Sequence, residues 1–171
     1  MTHTLNILIA DDHRMFAETM KMLFEKYNMA AQIDIVGNGK EAIDRCLSGQ
    51  FDLVILDISM PLIDGIEALK EIRRHKPDLK VLMVTMLTEY EKPLQALEAG
   101  ARGVVSKKSD TEELINAIRR VLNNEIVIPS FLSENGKSRA QRSGRPVAFT
   151  TDTIISPRER DILKLISEGL T

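Results

Sequence analysis

Apolar runs and stretches of helical period alternate along most of the chain. Leu5 to Ala10 is a short, nearly continuous apolar run and predicts a buried strand. Behind it, Phe16, Met20, Leu23, Phe24 and Tyr27 recur at the spacing of one helix face. The same couple of strand and helix then repeats. Residues 33–36 predict a second strand, and residues 41–47 a second helix with Ala42, Ile43, Cys46 and Leu47 inward. Leu53, Val54, Ile55 and Leu56 predict a third strand that delivers an acid, Asp57, and stops at Met60 and Pro61. A third helix opens at Gly65, carries Ile66, Leu69 and Ile72, and ends before Pro77, which cannot continue it. Residues 80–86 predict a fourth strand, and residues 91–99 a weaker helix stopped by Gly100. A fifth strand follows over 102–106. Asp110 and Glu113 then make a capping-box-like start for a helix through Leu114, Ile115, Ile118, Val121 and Leu122.

Five such units with short connections predict an α/β fold, a doubly wound (βα)5 parallel sheet over residues 1–129 with helices on both faces. Ligands in such sheets sit outside the carboxyl ends of the strands, where the strand order reverses. The chemistry-bearing residues fall there. Asp11 and Asp12 end the first strand, Asp57 ends the third, Thr85 lies near the end of the fourth, and Lys107 follows the fifth.

Composition narrows the possibilities. With 43% hydrophobic and 28% charged residues in 171, the chain can fill one full core and part of another. A net charge of -2 carries no general nucleic-acid or membrane signature, so any such partner must be read from a local patch. No apolar stretch approaches the roughly 20 residues that span a bilayer, and the start, MTHTLNILIADDH, has neither a basic region nor a cleavage pattern. A cytoplasmic location and no membrane partner are expected. Cys46 is the single cysteine, which excludes an intrachain disulfide and a thiolate metal cage; it reads as a small residue on a helix face.

Three carboxylates gathered on one edge would repel one another by roughly 4 kcal/mol per pair at ~4 Å and an effective dielectric of ~20. They call for a cation. Hard oxygen ligands suit Mg²⁺, which keeps waters and accepts one or two carboxylates plus a phosphate oxygen. Lys107 can neutralise an anion and Thr85 can donate a hydrogen bond to it. The set suits a phosphoryl group held on Asp57, with Mg²⁺ and Lys107 offsetting the charge of the transition state. Taken singly, each residue has a plainer use. Asp57 could be a turn residue, Asp11 could cap the first helix, and Asp12 could serve its dipole. His13, next to two acids, suggests a metal ligand, but in the first turn of a helix it more often faces solvent.

These residues resemble the receiver domain of two-component response regulators. The resemblance covers residues 5–125 and rests on the pair Asp11 and Asp12, the acceptor in "LDISMP", Thr85, and "GARGVVSKK" carrying Lys107. It implies that Asp57 takes a phosphoryl group from a sensor histidine kinase or a small acyl phosphate. It also implies that Asp12, Asp57 and the backbone carbonyl of Ser59 bind Mg²⁺ directly, with Asp11 through water. Such a chain catalyses only its own phosphotransfer and dephosphorylation. Ser59 and Leu87 are expected to flank the attacking water's path. Many receivers carry an aromatic ring three residues before the lysine; here Val104 stands in that position. Family members pair through helices four and five or through helices one and five, and the sequence leaves that choice of homodimer open.

Past residue 129 the composition shifts. Residues 130–153 read as a flexible linker rich in Ser, Gly, Arg and Thr. "SPRERDILKLISEGLT" then restores order, with Ser156 as N-cap, Pro157 at the first helical position, Glu159 closing a capping box and Gly169 ending the helix. Residues 154–171 resemble the first helix of a NarL/LuxR-type helix-turn-helix domain. The recognition helix of such a domain is not among these residues, so the expectation is a truncated output domain and no DNA binding by this chain itself. The leading expectation is therefore a phosphorylation-controlled transcriptional regulator; the runner-up is a stand-alone receiver acting through protein contacts. A haloacid-dehalogenase-like phosphatase would need an Asp where Ser59 stands, and a nucleotide-binding loop at "GKS" would need Gly where Phe131 stands.

Overall fold

The computed structural model describes residues 4–29, 31–86, 91–129 and 132. The chain divides into two units, Met1–Val127 and Ile128–Thr171. In the second, only residues 128, 129 and 132 are described, so the expected linker over 130–153 and helix over 154–171 lie outside the described residues.

The first unit alternates strand and helix throughout: β1 Leu5–Ala10, α1 Arg14–Lys26, β2 Ala31–Val36, α2 Gly39–Ser48, β3 Leu53–Asp57, α3 Gly65–His75, β4 Lys80–Thr85, α4 Glu91–Glu98, β5 Gly103–Ser106 and α5 Thr111–Leu122. All neighbouring strands pair in parallel, in the order β2-β1-β3-β4-β5. The predicted doubly wound sheet is thus present, with five strands and five helices. Each strand and helix expected over residues 5–122 is present, and the differences are at the ends. α2 begins two residues earlier than expected because Asn38 caps it, accepting from Glu41 N at 2.9 Å. α3 starts where expected, but its cap is Asp64, whose Oδ1 accepts from Ile66 N and Glu67 N, both at 2.9 Å. At α5 the expected cap holds: Asp110 Oδ1 accepts from Glu113 N at 2.8 Å.

Alternation of side chains assigns the two faces of the sheet. Ile7 and Ile9 of β1, Leu53 and Ile55 of β3, and Leu82 and Val84 of β4 pack with Met20 and Phe24 of α1 and with Leu114, Ile115 and Ile118 of α5. The alternate positions, including Leu8, Val54, Leu56 and Met83, are equally buried, as a strand sandwiched between two helical layers requires. Each such aliphatic side chain contributes about 1.5–3 kcal/mol by leaving water. That burial is what makes β3 rigid enough to hold a charged residue at its end. The far edge of the sheet is capped at its start: Val104 N donates to Val127 O at 3.1 Å and Val127 N to Arg102 O at 2.9 Å, pairing the first residues of β5.

Candidate functional site

β1 leads through α1 to β2 on one side, whereas β3 returns to its other side, so the strand order reverses between β1 and β3. This is the switch point at which an open α/β sheet offers a crevice. Ala10 pairs with Leu56, so the next residues on the two strands, Asp11 and Asp57, emerge side by side. Asp11 is fixed by its N–H donating to Val36 O at 3.0 Å, and Ile58 N donates to Val84 O at 3.1 Å just beyond Asp57. Gly65 holds the loop after β3 against the strand. A Cβ at that position would stand 2.0 Å from the Asp57 carbonyl oxygen, so only glycine fits.

Lys107 enters from the other side of the crevice. Its N–H donates to Thr85 O at 2.8 Å, which extends the β4–β5 pairing by one residue. Its ammonium lies 2.7 Å from Asp11 Oδ2 and 2.8 Å from Asp57 Oδ2, with the three side chains only 6, 0 and 4% exposed. The Phe16 ring of α1 covers the ammonium at 5.0 Å from its centroid, a cation–π contact worth about 0.5–2 kcal/mol depending on desolvation. Burial pushes the Asp57 carboxyl above its ordinary value; the hydrogen bond and charge of Lys107 oppose this, and the nearby Asp11 adds to it. Burial alone would lower Lys107, but its contacts with Asp11 and Asp57 outweigh that and set it above the ordinary lysine value.

Ser59 N donates to Asp57 Oδ1 at 3.4 Å, which places the expected Ser59 beside Asp57. Thr85 closes β4 and is buried at the same edge, one residue beyond the pairing of Asp57 with Val84. Asp12 is the most exposed of the three acids. Val104 is fully buried in β5, and its β-branched side chain is stiff, so no ring is available there to swing. Leu87 lies outside the described residues.

The donor set suits a hard divalent cation. One ligand atom each from Asp11, Asp12, His13 and Asp57 can be chosen so that all lie within 4.8 Å of one another. Asp11 Oδ2 is fully buried, with the Lys107 ammonium 2.7 Å away as its positive partner.

Two features escaped the sequence: the bridging of both acids by Lys107 and the Phe16 ring above it. Both join residues too distant in the chain for any local pattern to reveal. His13, weighed between metal ligand and solvent-facing residue, has features of each: Nδ1 faces Asp12 Oδ1 at 3.0 Å and Asp11 Oδ1 at 3.3 Å, while the side chain is 68% exposed.

Fold and site together define a parallel α/β domain that presents a buried lysine-bridged acid pair at its switch point. Comparison with known proteins agrees. The response regulator receiver domain matches residues 7–119. The nitrate/nitrite response regulator protein NarL of Escherichia coli strain K12 is 32% identical over 167 residues, covering 96% of this chain and 76% of NarL. A two-component response regulator of the LuxR family from Aurantimonas sp. SI85-9A1 superposes with a TM-score of 0.73 at 30% identity, over 81% of this chain and 99% of that one. The receiver domain of the sensor histidine kinase PA1611 from Pseudomonas aeruginosa PAO1, crystallised with a magnesium ion in its active site cleft, shares the fold at a TM-score of 0.64 and 19% identity, over 71% of this chain and 99% of its own. The chain belongs to the response regulators of two-component systems, by its receiver domain. Its relatives are of the NarL/LuxR type, and among the described residues no helix is long and apolar enough to cross a membrane.

Proposed function

We propose that this protein is the phosphorylation-controlled switch of a two-component relay, with Asp57 as its phosphoacceptor and a sensor histidine kinase as donor. The observation that carries this reading is the buried ammonium of Lys107 held between Asp11 and Asp57 at the end of β3. An ion pair this dry is poor value for stability alone, because desolvating the charges costs about as much as their attraction returns. It makes sense as a poised site. An Asp57 carboxylate oxygen attacks the phosphorus, the bond from phosphorus to the donor's imidazole nitrogen breaks, and the electron pair leaves with that nitrogen.

Asp11, Asp12, Asp57 and the backbone carbonyl of Ser59 would hold Mg²⁺. Bound there, the ion supplies neutralising charge for the transferring oxygens. Lys107 contributes the second positive charge by turning from the Asp57 carboxylate to a phosphoryl oxygen, and Thr85 offers its hydroxyl to another. Those two displacements bias the face near β4 and β5 toward a second arrangement, which is how a local charge reaches an output. With Val104 at the usual aromatic position, coupling here runs through Thr85 and Lys107 alone.

The output we assign to residues 154–171 is the first helix of a helix-turn-helix domain of NarL/LuxR type, a domain that acts on DNA in the cytoplasm through a recognition helix these residues do not include. The support is the capping pattern of "SPRERD" and the type of the relatives. The test is intact mass after incubation with acetyl phosphate and Mg²⁺. One added phosphoryl group on the parent, absent without Mg²⁺ and absent in Asp57→Asn, establishes acceptor and cation together. No mass gain in either protein, even with kinase present, overturns the reading.

A further inference from the structure

His13 occupies the N-cap position of α1 with φ -87° and ψ 85°, yet its side chain makes no capping hydrogen bond. Its backbone N–H donates to Asp11 Oδ1 at 2.8 Å, which turns the chain so that the imidazole lies over the acid cluster. Nδ1 then stands 3.0 Å from Asp12 Oδ1 and 3.3 Å from Asp11 Oδ1. In a six-coordinate ion with bonds of about 2.1 Å, adjacent ligand atoms stand about 3.0 Å apart. The spacing of imidazole and carboxylates is therefore that of neighbouring ligands. An exposed ring on a helix cap has many rotamers available, and this one directs its nitrogen at two acids of the cluster.

We propose that His13 is a direct ligand, through Nδ1, of the divalent cation held by Asp11, Asp12 and Asp57, and that it shifts the site's preference toward imidazole-accepting transition ions over Mg²⁺. The inference rests on the reading of this cluster as a cation site and adds to it a nitrogen ligand and the class of ion. An all-oxygen site suits Mg²⁺, whereas a nitrogen ligand favours first-row transition ions in the order of their affinity for such donors. His13 therefore acts as a specificity-determining residue, and a transition ion at low concentration would compete with abundant Mg²⁺ for the same carboxylates.

The experiment uses Mn²⁺ as the probe on the full chain. Pulsed electron paramagnetic resonance of the bound ion reports a directly coordinated nitrogen, and the continuous-wave signal of free Mn²⁺ gives its affinity with and without competing Mg²⁺. The parent should show nitrogen modulation. His13→Ala should lose it and weaken Mn²⁺ by at least about tenfold, with Mg²⁺ binding changed much less. His13→Ser, which supplies a good N-cap, should behave alike and so remove any concern about α1. His75→Ala, on the far end of α3 beside Glu71, should change nothing. Mn²⁺ bound without nitrogen modulation, or modulation that survives in His13→Ala, overturns the proposal while leaving the cation site standing. No Mn²⁺ binding at all overturns both, and the mass measurement with acetyl phosphate then tells whether the acceptor reading survives without a cation.

Discussion

At the scale of single residues, Lys107 decides the state of the crevice. It is the positive charge on two buried carboxylates, and truncating one partner of a buried ion pair leaves the other uncompensated, at a cost of about 3–5 kcal/mol. Lys107→Met keeps the bulk and removes the charge, so denaturant unfolding at neutral pH should show a loss of that order. The sign of its pH dependence follows from the carboxyls. Without the ammonium, the folded-state value of Asp57, already raised by burial, moves further up, so the penalty is present above that value and fades as pH falls and the acid takes up a proton. A deficit that stays constant down to the acid range would show that the lost stability is packing under Phe16 rather than charge. Cys46 gives the opposite case of a group kept neutral. Burial raises its thiol from 9.0 to about 12, so the stability it contributes is full below the ordinary thiol value and is lost as pH rises from there through about 12. In the native protein the thiol should resist a maleimide at pH 8, and it should react promptly once denatured.

At the scale of elements, the strands and helices were legible because the two periods of the chain differ so sharply. The five apolar runs are short and the helical stretches between them keep a stripe, so both type and order could be read. Helix starts were harder. Asn38 caps α2 from a polar stretch where several residues could serve, whereas Asp64, the cap of α3, stands alone between Ile63 and Gly65. The site shows the same division. Strand-end acids could be placed because parallel pairing brings strand ends to one edge, while the contact of Lys107 with Asp11 joins the first strand to the last and has no local signature. Gly65 sits between these cases. Its position after Asp64 marks a helix start, yet its real constraint is the Asp57 carbonyl against which a Cβ would press. Gly65→Ala should therefore do more than stiffen a turn. The backbone has to shift by over an ångström at the loop after β3, so unfolding should show a loss well above the 1–3 kcal/mol of ordinary overpacking, and the proposed mass gain from acetyl phosphate should slow with it. A variant of normal stability and normal rate would mean that the loop has slack.

At the scale of the whole molecule, the first unit carries a hydrophobic core on each face of one sheet and keeps its unfavourable electrostatics at the sheet's upper edge. The core stabilises the fold broadly, whereas the crevice works against it locally through carboxylates that are desolvated and mutually repelling. Asp57 lies above its ordinary value for that reason, so at neutral pH the folded state bears the cost of ionising it. Anything that binds this edge only in the folded state should recover the cost as global stability. A divalent ion at about 100 times its dissociation constant adds about 2.7 kcal/mol, which for a unit of this size raises the melting temperature by several degrees. The rise should depend on the acids: Asp12→Asn or Asp57→Asn should shrink it, and monovalent salt at matched ionic strength should not reproduce it. Should the melting temperature of the parent not respond to millimolar Mg²⁺ or Mn²⁺, the acid cluster would be satisfied by Lys107 alone. Phosphoryl transfer would then have to proceed on the protein's own charges, because a cation able to assist the reaction must first be held where the reaction happens.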